Sequence, residues 1–258
     1  MDIFQAIILG IIEGITEFLP ISSTGHLAIV ANWLGISSNT FLPSFTIAIQ
    51  LGAILAAVVL YIRRLFTEPS LWGRLAIAFL PTVIVGVTLY KFIRPLLDNA
   101  WVAATALFVG GIVMIIVEKK LAGKKTIEPL EEDTVPTIRQ SLYIGLYQVL
   151  AFIPGVSRSA ATIIGGIVHK VPRRSAVEFS FLLAIPTMIA ATGYDLLRNG
   201  AAFSAADWQI LLTGGFVAFI TAFFVMKWLL SYVKKYTFIP FGIYRIVLTV
   251  VFVSILFL

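Results

Sequence analysis

The stretch EGITEFLPISSTGH, residues 13–26, combines an apolar helical pattern with carboxylates, hydroxyls and a helix-breaking proline. A second stretch, PGVSRS, residues 154–159, interrupts another apolar segment in a similar way. Irregular backbone inside a bilayer persists only where protein or a wet cavity satisfies its polar groups. We therefore interpret the surrounding segments, about 1–37 and 139–169, as two re-entrant helix hairpins. In each hairpin two half-helices meet at a polar apex.

The composition of the chain indicates that its solvent is lipid. Of the 258 residues, 59% are hydrophobic and only 12% are charged, whereas a soluble domain carries about 25% charged residues. Outside the hairpins, six apolar segments are long enough to cross about 30 Å of hydrocarbon as helices. These predicted spans are 41–62, 74–93, 100–118, 178–197, 208–230 and 239–257. The predicted fold is an all-α polytopic membrane protein, a single membrane domain over 1–258, with about six transmembrane helices and two re-entrant hairpins.

Several functional classes are excluded by composition. The chain has no cysteine, so neither disulfides nor thiolate metal sites stabilise it. Its only histidines are His26 and His169, which excludes a multi-histidine metal site. The net charge of +6 does not indicate nucleic acid binding, because the basic residues lie in short loops between apolar segments.

Loop charges predict the orientation in the membrane. Three loops are rich in lysine and arginine and are expected on the cytoplasmic side. Their basic residues are Arg63, Arg64 and Arg74 in the first loop, Lys119, Lys120, Lys124 and Lys125 in the second, and Lys227, Lys234 and Lys235 in the third. With about six spans, both termini are then expected outside.

The two hairpins also suggest an internal repeat. Pro20 and Pro154 differ by 134 positions, as do Ser23 and Ser157. Each half, 1–118 and 139–258, would contain one hairpin and about three spans, and an odd number of crossings inverts the second half. Inverted repeats with broken helices bring polar apices together near the midplane of many transporters.

The first hairpin carries two carboxylates four residues apart. Glu13 and Glu17 therefore share one helix face. Ionisable groups at bilayer depth are costly and usually functional. The pair could hold Mg²⁺ or Ca²⁺, or one carboxylate could act as a general base. The structural alternative is a shallow hairpin whose glutamates are simply hydrated.

A run of small and hydroxyl-bearing residues follows the break at Pro20. It consists of Ser22, Ser23, Thr24, Gly25 and His26. Small residues let backbone N–H groups turn towards an anion beside a new helix N-terminus. A serine hydroxyl could attack phosphorus if His26 or Glu17 accepts its proton. Alternatively, the serines and the threonine are ordinary N-caps.

The second hairpin supplies a cation. Arg158 is the only strongly basic residue in the stretch 142–168, and its fork of donors suits phosphate oxygens. Its polar or small neighbours are Gln148, Gly155, Ser157, Ser159 and Thr162. Alternatively, Arg158 forms an ion pair with Glu13 or Glu17. His169 lies among basic residues, and we assign it no role.

These motifs resemble a known family. The run EGITEFLPISSTGH, together with PGVSRSAAT at 154–162, is similar to the undecaprenyl-diphosphatase family, also called the bacitracin-resistance proteins. The resemblance extends to residues 44–52 and 178–186 and therefore covers both halves of the chain.

The resemblance implies hydrolysis of undecaprenyl diphosphate to undecaprenyl phosphate and inorganic phosphate. This reaction recycles the lipid carrier of peptidoglycan synthesis, on which cell-wall biogenesis and cell shape depend, and it confers bacitracin resistance. By the family pattern, Ser23 is the nucleophile, Arg158 the phosphate clamp and His26 an assisting residue, while Glu13 and Glu17 are the paired acids. A divalent cation, Mg²⁺ or Ca²⁺, is expected.

The resemblance also sets expectations for location and partners. The protein would lie in the bacterial inner (plasma) membrane, with its site open to the periplasmic or extracellular side. Its partners would be the polyprenyl diphosphate substrate and membrane lipids, but no nucleic acid. A homo-oligomer is left open.

Two competing functions come from the same residues. A transporter or flippase of a polyprenyl phosphate lipid would use the same architecture, but the acids, serine and arginine suit hydrolysis better than passive binding. A type-2 phosphatidic acid phosphatase would use a histidine nucleophile. The second histidine expected shortly after Ser157-Arg158 is missing, since His169 lies too far along the chain.

Overall fold

The computed structural model describes residues 1–36, 41–97, 99–122, 134–199 and 203–256. These residues form ten α-helices and one short 3₁₀ turn, with no strand among them, which confirms the all-α prediction. The helices are α1 (Ile3–Thr16), α2 (Ser23–Trp33), α3 (Phe41–Thr67), α4 (Pro69–Leu97), α5 (Ala100–Ala122), α6 (Ile138–Val149), α7 (Arg158–Val168), α8 (Arg173–Asn199), α9 (Ala205–Tyr232) and α10 (Ile239–Leu256); the 3₁₀ turn is Leu150–Phe152. The predicted cytoplasmic residues Lys124 and Lys125 lie outside the described residues.

Five helices are long and apolar enough to cross a membrane, namely α3, α4, α5, α8 and α9. They correspond to five of the six predicted spans and confirm a multi-pass membrane protein. The sixth predicted span, 239–257, corresponds to α10, Ile239–Leu256.

Each predicted hairpin consists of two short helices separated by a break. The first hairpin contains α1 and α2, with 14 and 11 residues. The second contains α6 and α7, with 12 and 11 residues. Helices of this length, about 16–21 Å, cannot cross the bilayer alone. The prediction of paired half-helices is confirmed, while their depth in the membrane stays a prediction.

Both hairpins start with the same capping arrangement. The Asp2 side chain accepts a hydrogen bond from the Gln5 amide, and the Gln5 side chain accepts one from the Asp2 amide. Thr137 and Gln140 form the same reciprocal capping box at the start of α6. Such boxes satisfy N–H groups that the first helical turn leaves without partners. The sequence therefore fixes where both hairpins begin.

The two glutamines also close their hairpins. The side-chain amide of Gln5 donates to the Leu34 carbonyl at 3.2 Å, and that of Gln140 donates to the His169 carbonyl at 3.0 Å. The next residues, Gly35 and Lys170, have φ angles of 63° and 64°. Left-handed residues of this kind commonly end helices. The matched capping and closing residues of the two hairpins are thus 135 positions apart. The separation predicted from Pro20 and Pro154 was 134 positions, one fewer.

The structure divides into two compact units. The first unit comprises Met1–Phe18, Ser23–Glu68 and Phe181–Trp228. In it, α1 and α3 approach the backbone of α9 closely: a Cβ at Gly10 would lie 2.5 Å from the Gly214 carbonyl oxygen, and one at Gly52 would overlap that of Gly215. Small residues allow such close helix packing in membranes. A buried apolar cluster from α1, α2, α3 and α9 surrounds these contacts.

The second unit comprises Leu19–Ser22, Pro69–Ser180 and Leu229–Leu258. Here α6 lies so close to α4 that a Cβ at Gly145 would overlap the Ala78 carbonyl. The predicted repeats, 1–118 and 139–258, both contribute to both units, and their inverted relation stays a prediction. The break of the first hairpin, residues 19–22, packs within the second unit, although the helices on either side of it belong to the first.

Candidate active site

The predicted carboxylate pair lies on one turn at the end of α1. Glu17 continues the helical backbone beyond Thr16, with φ −62° and ψ −44°, and its N–H donates to the Glu13 carbonyl at 2.9 Å. The two side chains are buried, with exposures of 0% for Glu13 and 6% for Glu17. The shared helix face is confirmed. Buried carboxylates in a membrane protein indicate function, because burying a charge is costly.

Ser23 and Glu17 form a direct pair across the first break. The Ser23 hydroxyl donates a hydrogen bond of 2.7 Å to Glu17 Oε2, and both side chains are buried. A hydroxyl that donates to a carboxylate already has a base in place to accept its proton. Sequence alone left Glu17 and His26 as alternative bases, and this geometry favours Glu17. His26 lies three residues further along α2 and is also buried.

A strained serine precedes the functional residue of each hairpin. Ser22 and Ser157 both have a φ of 71°, a left-handed conformation that non-glycine residues rarely adopt. Such strain costs about 1–3 kcal/mol and clusters at functional sites. Each serine lies just before a helix begins, so Ser23 and Arg158 occupy the first positions of α2 and α7. The backbone therefore turns sharply before both residues.

Arg158 is held in place at the start of α7. Its side chain is buried, with 8% exposure, and Nη1 donates to the Ser180 carbonyl at 2.9 Å. Thr162, one turn further along α7, lies 2.7 Å from the Ser180 hydroxyl and donates to the Arg158 carbonyl at 2.9 Å. These bonds fix the orientation of the guanidinium, which is a condition for recognition of phosphate oxygens.

The serines on either side of Arg158 already have protein partners. Ser157 caps α7 by accepting from the Ala160 amide at 3.3 Å, and its hydroxyl lies 3.0 Å from that of Ser159. The Ser159 hydroxyl donates to the Leu19 carbonyl at 2.8 Å. Both serines therefore shape the second break, and their predicted contacts to substrate stay predictions.

Three other predicted binding residues have different surroundings. Thr24 is exposed and follows Ser23, while Gly25 is buried on the same helix. Gly155 has a φ of 89°, and a Cβ there would overlap the Ala103 carbonyl oxygen, so only glycine fits. Together with Ser22 and Thr162, they stay predicted substrate-binding residues.

The donor set near Glu13 and Glu17 limits how a cation could bind. Over the part of the chain that the structure describes, no group of three or more His, Cys, Asp or Glu side chains could hold a metal ion. Ca²⁺ takes about six to eight oxygen ligands, whereas Mg²⁺ is commonly bound by one or two carboxylates, waters and substrate phosphates. Two carboxylates therefore fit Mg²⁺ completed by a phosphorylated substrate.

Arg245 was missed by the sequence reasoning. It lies in α10, is fully buried and donates only to backbone carbonyls, including that of Pro20 in the first break. The signal that could have found it is an arginine inside the apolar segment 239–257, since a charge at bilayer depth is by default a functional candidate.

An apolar cavity of about 570 Å³ lies between α5 and the second hairpin. Its lining is almost entirely hydrocarbon. The residues are Trp101, Val102, Thr105, Ala106, Val109, Gly110, Val113, Met114, Tyr147, Leu150, Ile153, Val156, Ala160, Ala161 and Ile164. Ala160 and Ala161 belong to the first turn of α7, so the cavity extends to the neighbourhood of Arg158.

His169 has a structural environment. Its ring stacks on Tyr143, with centroids 4.0 Å apart and planes 2° apart. Partial burial, assisted by the nearby charge of Arg139, lowers the pKa of His169. These contacts lie at the opposite end of α7 from Arg158.

Comparisons with known proteins show the family to which this chain belongs. A family model described as bacitracin resistance protein BacA matches residues 6–251. Relatives named undecaprenyl-diphosphatase are similar over almost their entire length. One from Aquifex aeolicus is 48% identical over 255 residues, covering 98% of both chains. One from Sulfurihydrogenibium sp. is 47% identical, with 98% of both chains covered, and one from Wolinella succinogenes is 47% identical, with 98% and 97% covered.

Proposed function

Since this chain belongs to the BacA family of bacitracin resistance proteins, we infer that it hydrolyses undecaprenyl diphosphate to undecaprenyl phosphate and inorganic phosphate. The reaction recycles the lipid carrier of cell-wall synthesis. It also reduces the pool of diphosphate lipid that bacitracin sequesters, which accounts for resistance. The match over nearly the full chain supports the overall activity, and the roles of individual residues are proposals that rest on the geometry.

The hydrogen bond between Ser23 and Glu17 carries the proposed chemistry. Ser23 Oγ attacks the terminal phosphorus while its proton passes to Glu17 Oε2. The bond between that phosphorus and the bridging oxygen breaks, and undecaprenyl phosphate leaves. Glu17 gives this proton to the departing phosphate and then accepts one from water, which attacks the phosphoserine. The bond from phosphorus to Ser23 Oγ breaks, Ser23 Oγ takes the proton back from Glu17, and inorganic phosphate leaves. His26 assists these proton transfers from the next turn of α2. Direct attack by water activated by Glu17 is the mechanistic alternative.

Arg158 is proposed to bind and neutralise the diphosphate. Fixed donors aimed at developing charge stabilise a transition state without reorganising during the reaction. The bond from Arg158 to the Ser180 carbonyl supplies that fixation. The bond from Ser159 to the Leu19 carbonyl supports a role for both hairpins in one reaction, because Leu19 is only four residues before Ser23 in the chain.

A divalent cation would be held by Glu13 and Glu17 together with the substrate. Its chemistry would be to neutralise phosphate charge and polarise a phosphoryl oxygen.

The lipid tail requires an apolar path to this chemistry. The cavity between α5 and the second hairpin offers one, since it is lined by hydrocarbon and includes the first turn of α7. We propose that it takes the isoprene units closest to the diphosphate. The loop charges favour termini on the outer side. The family resemblance implies that the protein lies in the bacterial inner membrane and that its site opens to the periplasmic or extracellular face.

Phosphate release from undecaprenyl diphosphate by the purified protein in detergent tests this function. We expect release that depends on Mg²⁺ or Ca²⁺ in the wild type and is lost in Arg158→Ala. A flippase would instead move the lipid across vesicle membranes without releasing phosphate. Replacing Ser23 and His26 separately by alanine, and looking for a trapped phosphoryl group, distinguishes a serine from a histidine nucleophile.

A further inference from the structure

Arg245 is saturated with hydrogen bonds to main-chain carbonyls. A guanidinium has five N–H donors, and each donor of this fully buried side chain finds an acceptor. Nε donates to Leu107 at 3.3 Å, Nη1 to Pro20 at 3.3 Å and Val156 at 2.9 Å, and Nη2 to Ala106 at 3.1 Å and Gly155 at 2.9 Å. The arginine thus connects α5 and α10 with the breaks of both hairpins.

Three of these carbonyls lie where helical hydrogen bonding is interrupted. Pro20, Gly155 and Val156 lie outside the α-helices. In a membrane protein a carbonyl without a helical partner must find a donor inside the protein, because lipid offers none. Arg245 supplies that donor at both breaks and thereby replaces the missing helical bonds.

The bonds to the two hairpins are equivalent. Pro20 and Gly155 are 135 positions apart, the same separation that relates the capping boxes and the strained serines. Pro20 is three residues before Ser23, and Gly155 is three residues before Arg158. One guanidinium therefore binds the same backbone position ahead of the proposed nucleophile and of the proposed phosphate clamp.

We propose that Arg245 is a positioning residue for the phosphatase reaction. By fixing the carbonyls of both breaks, it sets the backbone from which Ser23 and Arg158 project. The proposal rests on the proposed function, because the roles of Ser23 and Arg158 come from it. Arg245 acts through these residues and not by direct contact with the reacting atoms.

The packing of α5 against α10 is shaped around this side chain. A Cβ at Gly110 would overlap Nη2 of Arg245 and lie 3.0 Å from its Cζ. At the neighbouring position, a Cβ on Gly111 would lie 2.7 Å from the Gly242 carbonyl oxygen. Glycine at both positions lets the two helices approach and leaves room for the guanidinium to reach the breaks.

Lysine cannot reproduce this arrangement. Its three N–H donors share one nitrogen, whereas arginine spreads five donors over a planar fork. Arg245→Lys therefore keeps the charge but cannot bind all five carbonyls at once. This variant therefore tests the geometry of the guanidinium separately from its charge.

The experiment compares Arg245→Lys with Arg173→Lys in detergent, using undecaprenyl diphosphate. Arg173 pairs with Glu118 at 2.7 Å and follows the far end of α7, about 16 Å along that helix from Arg158. We expect kcat of Arg245→Lys to fall by about 10- to 100-fold with KM within about threefold, since small misplacements of reacting groups cost up to about 10²-fold. Arg173→Lys should leave kcat unchanged.

A second variant distinguishes loss of the Arg245 contacts from misfolding. A second measurement tests the proposal even if the proposed function fails. Gly110→Ala keeps Arg245 but displaces its guanidinium. Because Gly110 also lines the apolar cavity, the readout for this variant is hydrogen exchange at both breaks, which should accelerate as in Arg245→Lys. Hydrogen exchange of the backbone amides at residues 19–25 and 155–160 needs no catalytic activity. In Arg245→Lys it should accelerate at least about tenfold at both breaks, and in Arg173→Lys it should not.

Each outcome decides the proposal. A folded Arg245→Lys protein with wild-type kcat and unchanged exchange would overturn it, as would a rise of KM alone, which would indicate direct contact with substrate. If neither Arg245→Lys nor Gly110→Ala can be recovered in folded form, Arg245 is required for folding of the whole chain, and the proposal is equally overturned. If the wild type releases no phosphate, the proposed function fails, and exchange alone decides whether Arg245 fixes both breaks.

Discussion

The two hairpins share one backbone design and carry different chemistry. At positions 135 apart they match in their capping boxes, in the glutamine bond to the last turn and in the left-handed serine before the second helix. They differ where function is proposed. Glu13 corresponds to Gln148, and Ser23 corresponds to Arg158. The backbone arrangement is thus repeated, whereas the side chains at the proposed functional positions differ.

Under the proposed roles, the first hairpin is the reactive hairpin and the second is the binding hairpin. Gln148 is buried and neutral, and its side-chain amide donates to the Thr82 hydroxyl at 2.7 Å. Glu13, in the corresponding place, is the carboxylate proposed to bind a cation. The first hairpin would supply a nucleophile and its base, and the second would supply the guanidinium of Arg158. Such an arrangement is suited to phosphoryl transfer.

The largest expected effect is at the reactive hairpin. Ser23→Ala should lower kcat by about 10³-fold or more, because a nucleophile and its base act as a unit. For the same reason, Glu17→Gln combined with Ser23→Ala should be no worse than Ser23→Ala alone. Phosphate release measures both, with Ser141→Ala, a buried serine of α6, as the matched control. An additive double variant would contradict the paired role.

The next largest effect is at the binding hairpin. Arg158→Lys should lower kcat/KM by about 10²-fold, since lysine keeps the charge but loses the fork that matches phosphate. Arg174→Lys is the control, because Arg174 pairs with Glu178, one turn further along α8, at 3.0 Å. Equal losses in both variants would show that Arg158 has no special role.

Making the reactive hairpin resemble the binding hairpin should weaken cation dependence. Glu13→Gln places at position 13 the residue that stands at position 148. We expect the Mg²⁺ concentration for half-maximal activity to rise by about tenfold or more, since losing a carboxylate ligand lowers cation affinity. Gln148→Asn serves as the control. An unchanged cation titration in Glu13→Gln would remove Glu13 from the proposed cation site.

The shared strain is testable through stability. At Ser22 and at Ser157, the glycine variant should be more stable than the alanine variant by about 1 kcal/mol, because both positions have a φ of 71°. Comparing Gly with Ala at one position cancels the loss of the hydroxyl. Thermal midpoints in detergent measure the difference, and equal midpoints at either position would show that the two breaks are not strained alike.

The smallest expected effect concerns His169, whose counterpart in the first hairpin is Leu34. Partial burial, with Arg139, lowers the pKa of His169, so its neutral form stabilises the fold. That stability is present above the unfolded pKa of about 6.5 and is lost as pH falls through the lower folded pKa. The wild type should therefore lose more thermal stability than His169→Leu between about pH 7.5 and about pH 5. Parallel pH profiles would contradict this.

Much of the fold and part of the site could be predicted from local signals. Apolar segment length gave five confirmed spans, and Pro20 and Pro154 marked the breaks between half-helices. The spacing of Glu13 and Glu17 gave their shared helix face. The separation of 134 positions between Pro20 and Pro154 is one smaller than the 135 that relates the strained serines. The reason is that Ser157 lies three positions after Pro154, whereas Ser22 lies two positions after Pro20.

Sequence by itself determined that this chain lies in a membrane, where its helices break and that Glu13 and Glu17 share one helix face, because hydropathy, proline and helical spacing act over a few neighbouring residues. Only the tertiary structure decided that Glu17 accepts the Ser23 hydrogen bond and that Arg245 binds both breaks. Those contacts join residues that the chain separates, up to 225 positions for Arg245 and Pro20. Close helix packing through glycine brings such residues together, and no local pattern encodes it.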